Sequence, residues 1–178
     1  MIGLNPWKLE EDKFCVLWLE SNDCSLEEGL DRSLNIKKAK INKLFAVKIF
    51  LDPHSVRGYV SGKWEHSDGV LNSKALKEFM NFVSDSYIVG YKGNKFLFPM
   101  INDNLLSQGF KKLSHLKTID MEEVLDWVES ETLVGEALKE LDSINKENAC
   151  IFTRVNRLSD FFIDRLLPVL KHGFNSKT

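Results

Sequence analysis

The segment 72–109 constrains the fold most, because it contains four structural elements in a fixed order. A helix over 72–83 is predicted by the capping residue that opens it and by apolar residues at helical spacing. Residues 87–89 form a short apolar run that is typical of a buried strand. After the polar turn 90–95, a second helix over 99–109 is predicted by an opening proline and a closing glycine. This order predicts a mixed α/β domain.

Further strands are predicted on either side of this segment. Residues 13–20 form a near-continuous apolar run, which predicts a central strand buried on both faces. Residues 44–51 predict a second buried strand. Residues 57–64 alternate between apolar and polar side chains and predict a strand at the outer part of the sheet. The short connection between these two strands predicts a hairpin, and residues 118–120 predict one more short strand.

The second half of the chain is predicted to be mostly helical. Asp120 is expected to cap a helix, with Glu123 three residues later as the partner of a capping box. Another helix is expected to begin at Thr132, and 158–170 is predicted as the last helix. A polar loop with a short helical turn is predicted over 21–35.

Composition and charge limit the classes of protein that fit. The 178 residues, 43% hydrophobic and 28% charged, predict one globular domain over 1–178. No apolar run approaches the ~20 residues that cross a bilayer, and the N-terminus lacks a signal-peptide pattern. Three widely spaced cysteines fit reduced thiols. We therefore expect a cytoplasmic protein without a membrane partner, whose net charge of −2 gives no overall attraction to nucleic acid.

Two short stretches of the chain resemble a known motif. Residues 89–92 read VGYK and residues 95–101 read KFLFPMI. Together they resemble the second motif of the DEDD-type 3′–5′ exonucleases, the epsilon-like proofreading relatives of RNase H, if the turn holds one extra residue. The resemblance implies an RNase H-like fold over about 13–171: a mixed sheet, with a three-strand meander plus parallel strands, flanked by helices. The predicted order of strands and helices agrees with it.

The acidic residues of the family are mostly missing from this sequence. Such exonucleases hold two Mg²⁺ or Mn²⁺ ions with converging carboxylates, and a His or Tyr orients the attacking water. The resemblance assigns the first motif, D-x-E, to Trp18 and Glu20, and the acid of the second motif to Leu97. It assigns the His and Asp of the third motif to Ile151 and Asn156. Only Glu20 is acidic, so we expect a catalytically degenerate protein without a bound metal or cofactor.

The polar turn 90–95 carries the candidate nucleic-acid-binding residues, Tyr91, Lys92 and Lys95. In the family this turn approaches the substrate strand. An aromatic ring can stack on a base, and lysines can pair with phosphates of a single strand. The structural alternative is that none of the three residues binds a ligand, that Tyr91 only caps the sheet and that the lysines are solvated.

A protein partner, in a replication, repair or defence complex, is an equal alternative. A cleft that has lost its charge would become an apolar groove lined by Trp18, Leu97 and Ile151. A plain structural subunit of such a complex is a further alternative. In a different class, the chain is an active metal-dependent 3′–5′ exonuclease with shifted ligands, for which Asp103 and Asp160 are the nearest acidic residues.

Overall fold

The computed structural model describes residues 12–21, 40–52, 54, 57–126, 131–146 and 150–172. Its strands are β1 (Lys13–Ser21), β2 (Ile41–Leu51), β3 (Gly58–His66), β4 (Tyr87–Gly90) and β5 (Thr118–Asp120). They form one five-stranded sheet in the order β3-β2-β1-β4-β5. β1, β2 and β3 pair as an antiparallel meander, whereas β4 and β5 run parallel to β1. The predicted mixed sheet is confirmed, with β3 at its edge as expected.

Helices cover both faces of the sheet. They are α1 (Ser73–Val83), α2 (Phe98–Ser107), α3 (Met121–Asp126), α4 (Glu131–Lys146), α5 (Ile151–Phe161) and α6 (Leu167–His172). A π-helical turn at Gly93–Leu97 leads into α2, and another at Phe162–Leu166 joins α5 to α6. α1 and α2 pack on one face of the sheet, and α3 to α6 pack on the other.

The sheet separates two hydrophobic cores, and β1 contributes to both. Its even-numbered residues from Phe14 to Trp18 belong to the first core, between the sheet and α3 to α6. Its odd-numbered residues from Cys15 to Leu19 belong to the second core, between the sheet and α1 and α2. Successive side chains of a strand point to opposite faces, so a strand apolar at nearly every position needs cover on both. The prediction of a central strand buried on both faces is confirmed.

Local capping explains where two helices begin. Asn72 Oδ1 accepts a hydrogen bond of 2.9 Å from the amide of Ala75, which satisfies one of the free N–H groups at the start of α1. Asp120 Oδ1 accepts one of 3.0 Å from the amide of Glu122, as expected of a cap on α3. The predicted capping-box partner behaves differently, because Glu123 Oε2 accepts from Asn94 Nδ2 at 3.1 Å.

The last helical segment begins earlier than predicted. α5 starts at Ile151, seven residues before the predicted start at Leu158. Its first two turns place only Ile151 and Val155 among the buried residues, and their polar neighbours obscure the helical spacing in the sequence. The third motif assigned by the resemblance therefore lies inside α5 and not before the last helix.

Several predictions concern segments at the margin of the described residues. The predicted loop 21–35 lies outside them except for Ser21. The helix predicted to begin at Thr132 is confirmed by α4, which runs from Glu131. Cys15 and Cys150 are free thiols, the first buried and the second exposed. Within the described ranges, no helix is long and apolar enough to cross a membrane.

Candidate functional site

The end of β1 carries the two residues that the resemblance assigns to the first motif. Trp18 is only 2% exposed and packs in the first core. Glu20 lies two residues on and pairs across the sheet with Lys43, whose Nζ is 3.2 Å from Glu20 Oε2. The one acidic residue retained from the motif thus already has a cation beside it, on a half-exposed part of the surface.

Helix α5 places a second cation against this end of β1. The guanidinium carbon of Arg154 lies 5.2 Å from the centre of the Trp18 ring, a distance at which a cation is attracted to the ring face. Ile151 and Val155 of the same helix are buried in the first core beside Trp18. The Trp18 Nε1 atom is buried and has no hydrogen-bond partner among the described residues. The position that the resemblance assigns to the first metal-binding acid therefore holds an indole, with a guanidinium beside it.

Leu97 lies on the other side of the sheet from these residues. It is fully buried in the second core, whereas Trp18 and Ile151 belong to the first. A Cβ atom added to Gly90 would collide with Leu97 Cδ2, so Leu97 packs directly on the end of β4. The predicted groove lined by Trp18, Leu97 and Ile151 is wrong, because the sheet lies between its expected walls and all three side chains are buried.

The remaining residues named for the motifs or as shifted ligands lie on the helices α2 and α5. Asn156 is half-buried on α5 and offers an amide in place of a carboxylate. Asp103 lies on α2, and Asp160 lies on α5 on the exposed side of that helix. No group of three or more His, Cys, Asp or Glu side chains in the described part of the chain could hold a metal ion. A two-metal site needs several converging oxygen ligands, and Glu20 is the one acid at the positions that the resemblance assigns to the motifs.

Tyr91 cannot play the role predicted for it. Its ring is 1% exposed, so it is not free to stack on a base. Its hydroxyl donates a hydrogen bond of 2.8 Å to Asp142 Oδ1 on α4. Burial raises the pKa of Tyr91, and the hydrogen bond to Asp142 adds to that rise. Tyr91 caps the end of β4, as the structural alternative predicted.

The two lysines of the same turn lie among acidic residues. Lys95 Nζ is 3.8 Å from Glu122 Oε2, and Lys92 Nζ lies 5.3 Å from the centre of the Tyr91 ring. Burial raises the pKa of Glu122 and the neighbouring Asp120 adds to this, while Lys95 and Lys92 act in the opposite direction. Carboxylates this close would repel a phosphate, so the turn is poorly suited to a nucleic-acid backbone.

The turn itself is built by Asp120 and by an unusual backbone. Asp120 is 4% exposed, and its Oδ2 accepts a hydrogen bond of 2.9 Å from the amide of Asn94. With Oδ1 held by the amide of Glu122, both oxygens of this carboxylate bond the backbone. Lys92 has a φ of 50°, a left-handed conformation that costs a non-glycine residue about 1–2 kcal/mol. The π-helical turn that follows holds one residue more than an α-helical turn, in the region where the resemblance requires one extra residue.

The sequence did not single out Arg154 or Asp142, which make the most informative contacts of this region. Arg154 is three residues after Ile151, a spacing that places both on one helix face. A helix predicted from residue 151 would therefore have brought Arg154 to Trp18. Asp142 gave no comparable signal, since its partner Tyr91 lies 51 residues away.

Comparison with known proteins does not assign the chain to a family. No protein-family model matches it, and no curated protein matches it. The assignment of Trp18, Leu97 and Asn156 to exonuclease motifs thus depends on the sequence resemblance alone.

Proposed function

We propose that this chain is a catalytically degenerate relative of the DEDD-type 3′–5′ exonucleases, with an RNase H-like fold, that works as a binding or accessory module. The sheet order β3-β2-β1-β4-β5 is consistent with this relationship, since a meander followed by parallel strands is the order that the resemblance implies. The crossover helix α1 between β3 and β4 agrees with it as well.

The contact between Trp18 and Arg154 carries the proposal. In the resemblance, position 18 holds the first metal-binding acid; here it holds a buried indole with a guanidinium 5.2 Å from its centre. An indole offers no oxygen ligand to a divalent ion, so replacing the acid removes a ligand from the position that the first motif assigns to it.

A protein is the better-supported partner. The predicted nucleic-acid contact at Tyr91, Lys92 and Lys95 has lost its stacking surface, because Tyr91 is buried. The Lys95 ammonium lies beside Glu122, and the Lys92 ammonium lies beside the Tyr91 ring. The two lysines therefore do not form a purely cationic surface. The role that fits these observations is an accessory subunit that contacts another protein.

A thermal-shift titration with Mn²⁺ and Mg²⁺ tests the proposal. An ion that binds the folded protein at 100 times its Kd stabilises it by about 2.7 kcal/mol, which raises the Tm of a domain of this size by roughly 5–10 °C. We expect no such rise in the wild type, and the same ion-induced change in Tm for the wild type and for Glu20→Gln at every ion concentration. A rise of several degrees that disappears in Glu20→Gln would support the alternative, an active metal-dependent nuclease.

A further inference from the structure

The edge strand β3 has one side without a strand partner among the described residues. It pairs with β2 on its inner side and forms one end of the sheet order. All nine of its residues are at least partly exposed. An open strand edge presents backbone N–H and C=O groups that can pair with another extended chain.

A groove runs between this edge strand and helix α5. It has a volume of about 140 Å³ and an entrance open to solvent. Its lining residues are Phe45, Ala46, Val47, Lys63, Trp64, Glu65, Phe152 and Val155. An engineered apolar cavity of about 150 Å³ holds one benzene molecule, so this groove has room for one aromatic side chain.

Phe152 forms the outer wall of the groove and is unusually exposed for its size. It is 43% exposed and contacts Phe45 edge-on, with ring centres 6.3 Å apart. Lys63 Nζ lies 4.6 Å from the centre of the Phe152 ring. An exposed cation–π contact contributes only about 0.5–1 kcal/mol, so an entering ring can displace the Lys63 ammonium at small cost. Three of the five exposed large hydrophobic residues in the described ranges, Tyr59, Val60 and Phe152, lie on β3 or over it.

The half of β3 beside the groove is regular. A bulge at Ser61, between the pairs Ile49–Val60 and Lys48–Gly62, interrupts the first half of the strand. Bulges and lysines on an edge hinder indiscriminate pairing between sheets. From Gly62 to His66 the ladder with β2 is unbroken, so a partner strand could pair there in register.

We propose that the groove binds an extended segment of a partner protein, which adds to β3 as a sixth strand and inserts one aromatic side chain between β3 and α5. Recognition by strand addition takes affinity from main-chain hydrogen bonds and specificity from side-chain pockets. This inference deepens the proposed accessory role by naming the class of partner.

Charge at the rim defines the segment further. In the described part of the chain, no carboxylate lies within ion-pair distance of Lys63, whose contact is with the Phe152 ring. An acidic residue next to the aromatic anchor would therefore pair with Lys63. A nucleic acid fits less well, because its backbone has no N–H and C=O groups that could pair with the open edge of β3.

The inference can be tested by peptide selection. A phage-displayed random library of 12-residue peptides is selected for binding to the immobilised full chain. We expect the enriched peptides to share one aromatic residue with an acidic neighbour. A synthetic selected peptide should shift the amide resonances of Gly62 to His66 in an NMR titration. Phe152→Ser should weaken its binding at least tenfold, and Lys63→Glu should weaken it by a smaller factor.

Leu106→Ser is the matched control, because Leu106 is a similarly exposed apolar residue on α2, on the other face of the sheet. It should leave peptide binding unchanged, and circular dichroism should show both serine variants folded. Failure to enrich any peptide, or binding that Phe152→Ser does not affect, would overturn the inference. Binding of a 15-residue oligothymidine at the same resonances, or a dimer by light scattering that Phe152→Ser dissociates, would overturn it in favour of a different occupant.

The outcome is distinguishable from failure of the proposed function. The thermal-shift titration decides whether the chain has lost its catalytic metal site, because it measures metal-dependent stabilisation through Glu20. The peptide selection decides whether the groove at Phe152 binds an extended segment. Either result can hold without the other.

Discussion

Tyr91 Oη donates a hydrogen bond of 2.8 Å to Asp142 Oδ1, and so fastens the end of β4 to helix α4. The ring lies in the first core with 1% of its surface exposed. The sequence predicted base stacking for Tyr91, but its ring packs between the sheet and the helices. Its role is therefore structural, and replacing it should change the free energy of unfolding.

Removing the Tyr91 hydroxyl should destabilise the fold. We expect Tyr91→Phe to lower the free energy of unfolding by about 1–2 kcal/mol, since the hydrogen bond to a carboxylate is lost and the ring stays. Urea denaturation measures this change. Tyr59→Phe is the control: Tyr59 is 53% exposed, and its variant should change stability by less than about 0.5 kcal/mol. Equal effects of the two variants would contradict the structural role of Tyr91.

Gly90 should not tolerate a side chain. Its added Cβ would collide with Leu97 Cδ2, so Gly90→Ala should lower the free energy of unfolding by about 1–3 kcal/mol. Gly135→Ala, in α4, is the matched control: no described atom lies within 4 Å of its added Cβ, and it should gain about 0.5–1 kcal/mol. In a double-mutant cycle, Leu97→Ala should relieve part of the loss at Gly90. Additive effects would mean that Leu97 does not pack on Gly90.

The ion pairs of Asp85 should make stability depend on pH. Asp85 lies 2.9 Å from both Lys13 Nζ and Lys48 Nζ. Desolvation by burial acts to raise its pKa, but hydrogen bonds from Lys13, Lys48 and Ser86 together outweigh it and hold the pKa below the ordinary value. A lowered folded-state pKa stabilises the protein above the unfolded value of about 3.9, and this stabilisation is lost as pH falls further.

Asp85→Asn should therefore cost about 1 kcal/mol or less at pH 7, because the side chain is 44% exposed and solvent screens its pairs. The difference from the wild type should shrink when urea denaturation is repeated at pH 2. Asp68→Asn, on an exposed bend, is the control and should change the free energy of unfolding by less than about 0.5 kcal/mol at pH 7. A difference for Asp85→Asn that stays constant from pH 7 to pH 2 would contradict the account.

The sequence predicts the framework of this fold well because local patterns determine it. A strand at the surface of a sheet needs one polar face. The near-continuous apolar run 13–20 has none, and it forms the centre of the sheet. The helix over 72–83 begins where its cap predicts, because the Asn72 side chain bonds the amide of Ala75. These features depend on neighbours in sequence, and so they can be recognised without the fold.

The candidate site depends on long-range packing, and the sequence predicts it poorly. The sequence shows that Leu97 is apolar, but it does not show on which face of the sheet Leu97 packs. The turn that follows β4 sets that face. Tyr91 follows a strand and precedes a polar turn, a position that fits exposure as well as burial. Only its contact with α4, far along the chain, decides that it is buried.

A digestion assay tests the central claim most directly. A 5′-labelled single-stranded DNA and an RNA of the same sequence are incubated with the wild-type chain and with Glu20→Gln in the presence of Mg²⁺ or Mn²⁺. The account predicts that neither substrate is shortened above the level of Glu20→Gln, because the position assigned to the first metal-binding acid holds the Trp18 indole, with the Arg154 guanidinium beside it. Metal-dependent shortening from the 3′ end by the wild type, lost in Glu20→Gln, would contradict it.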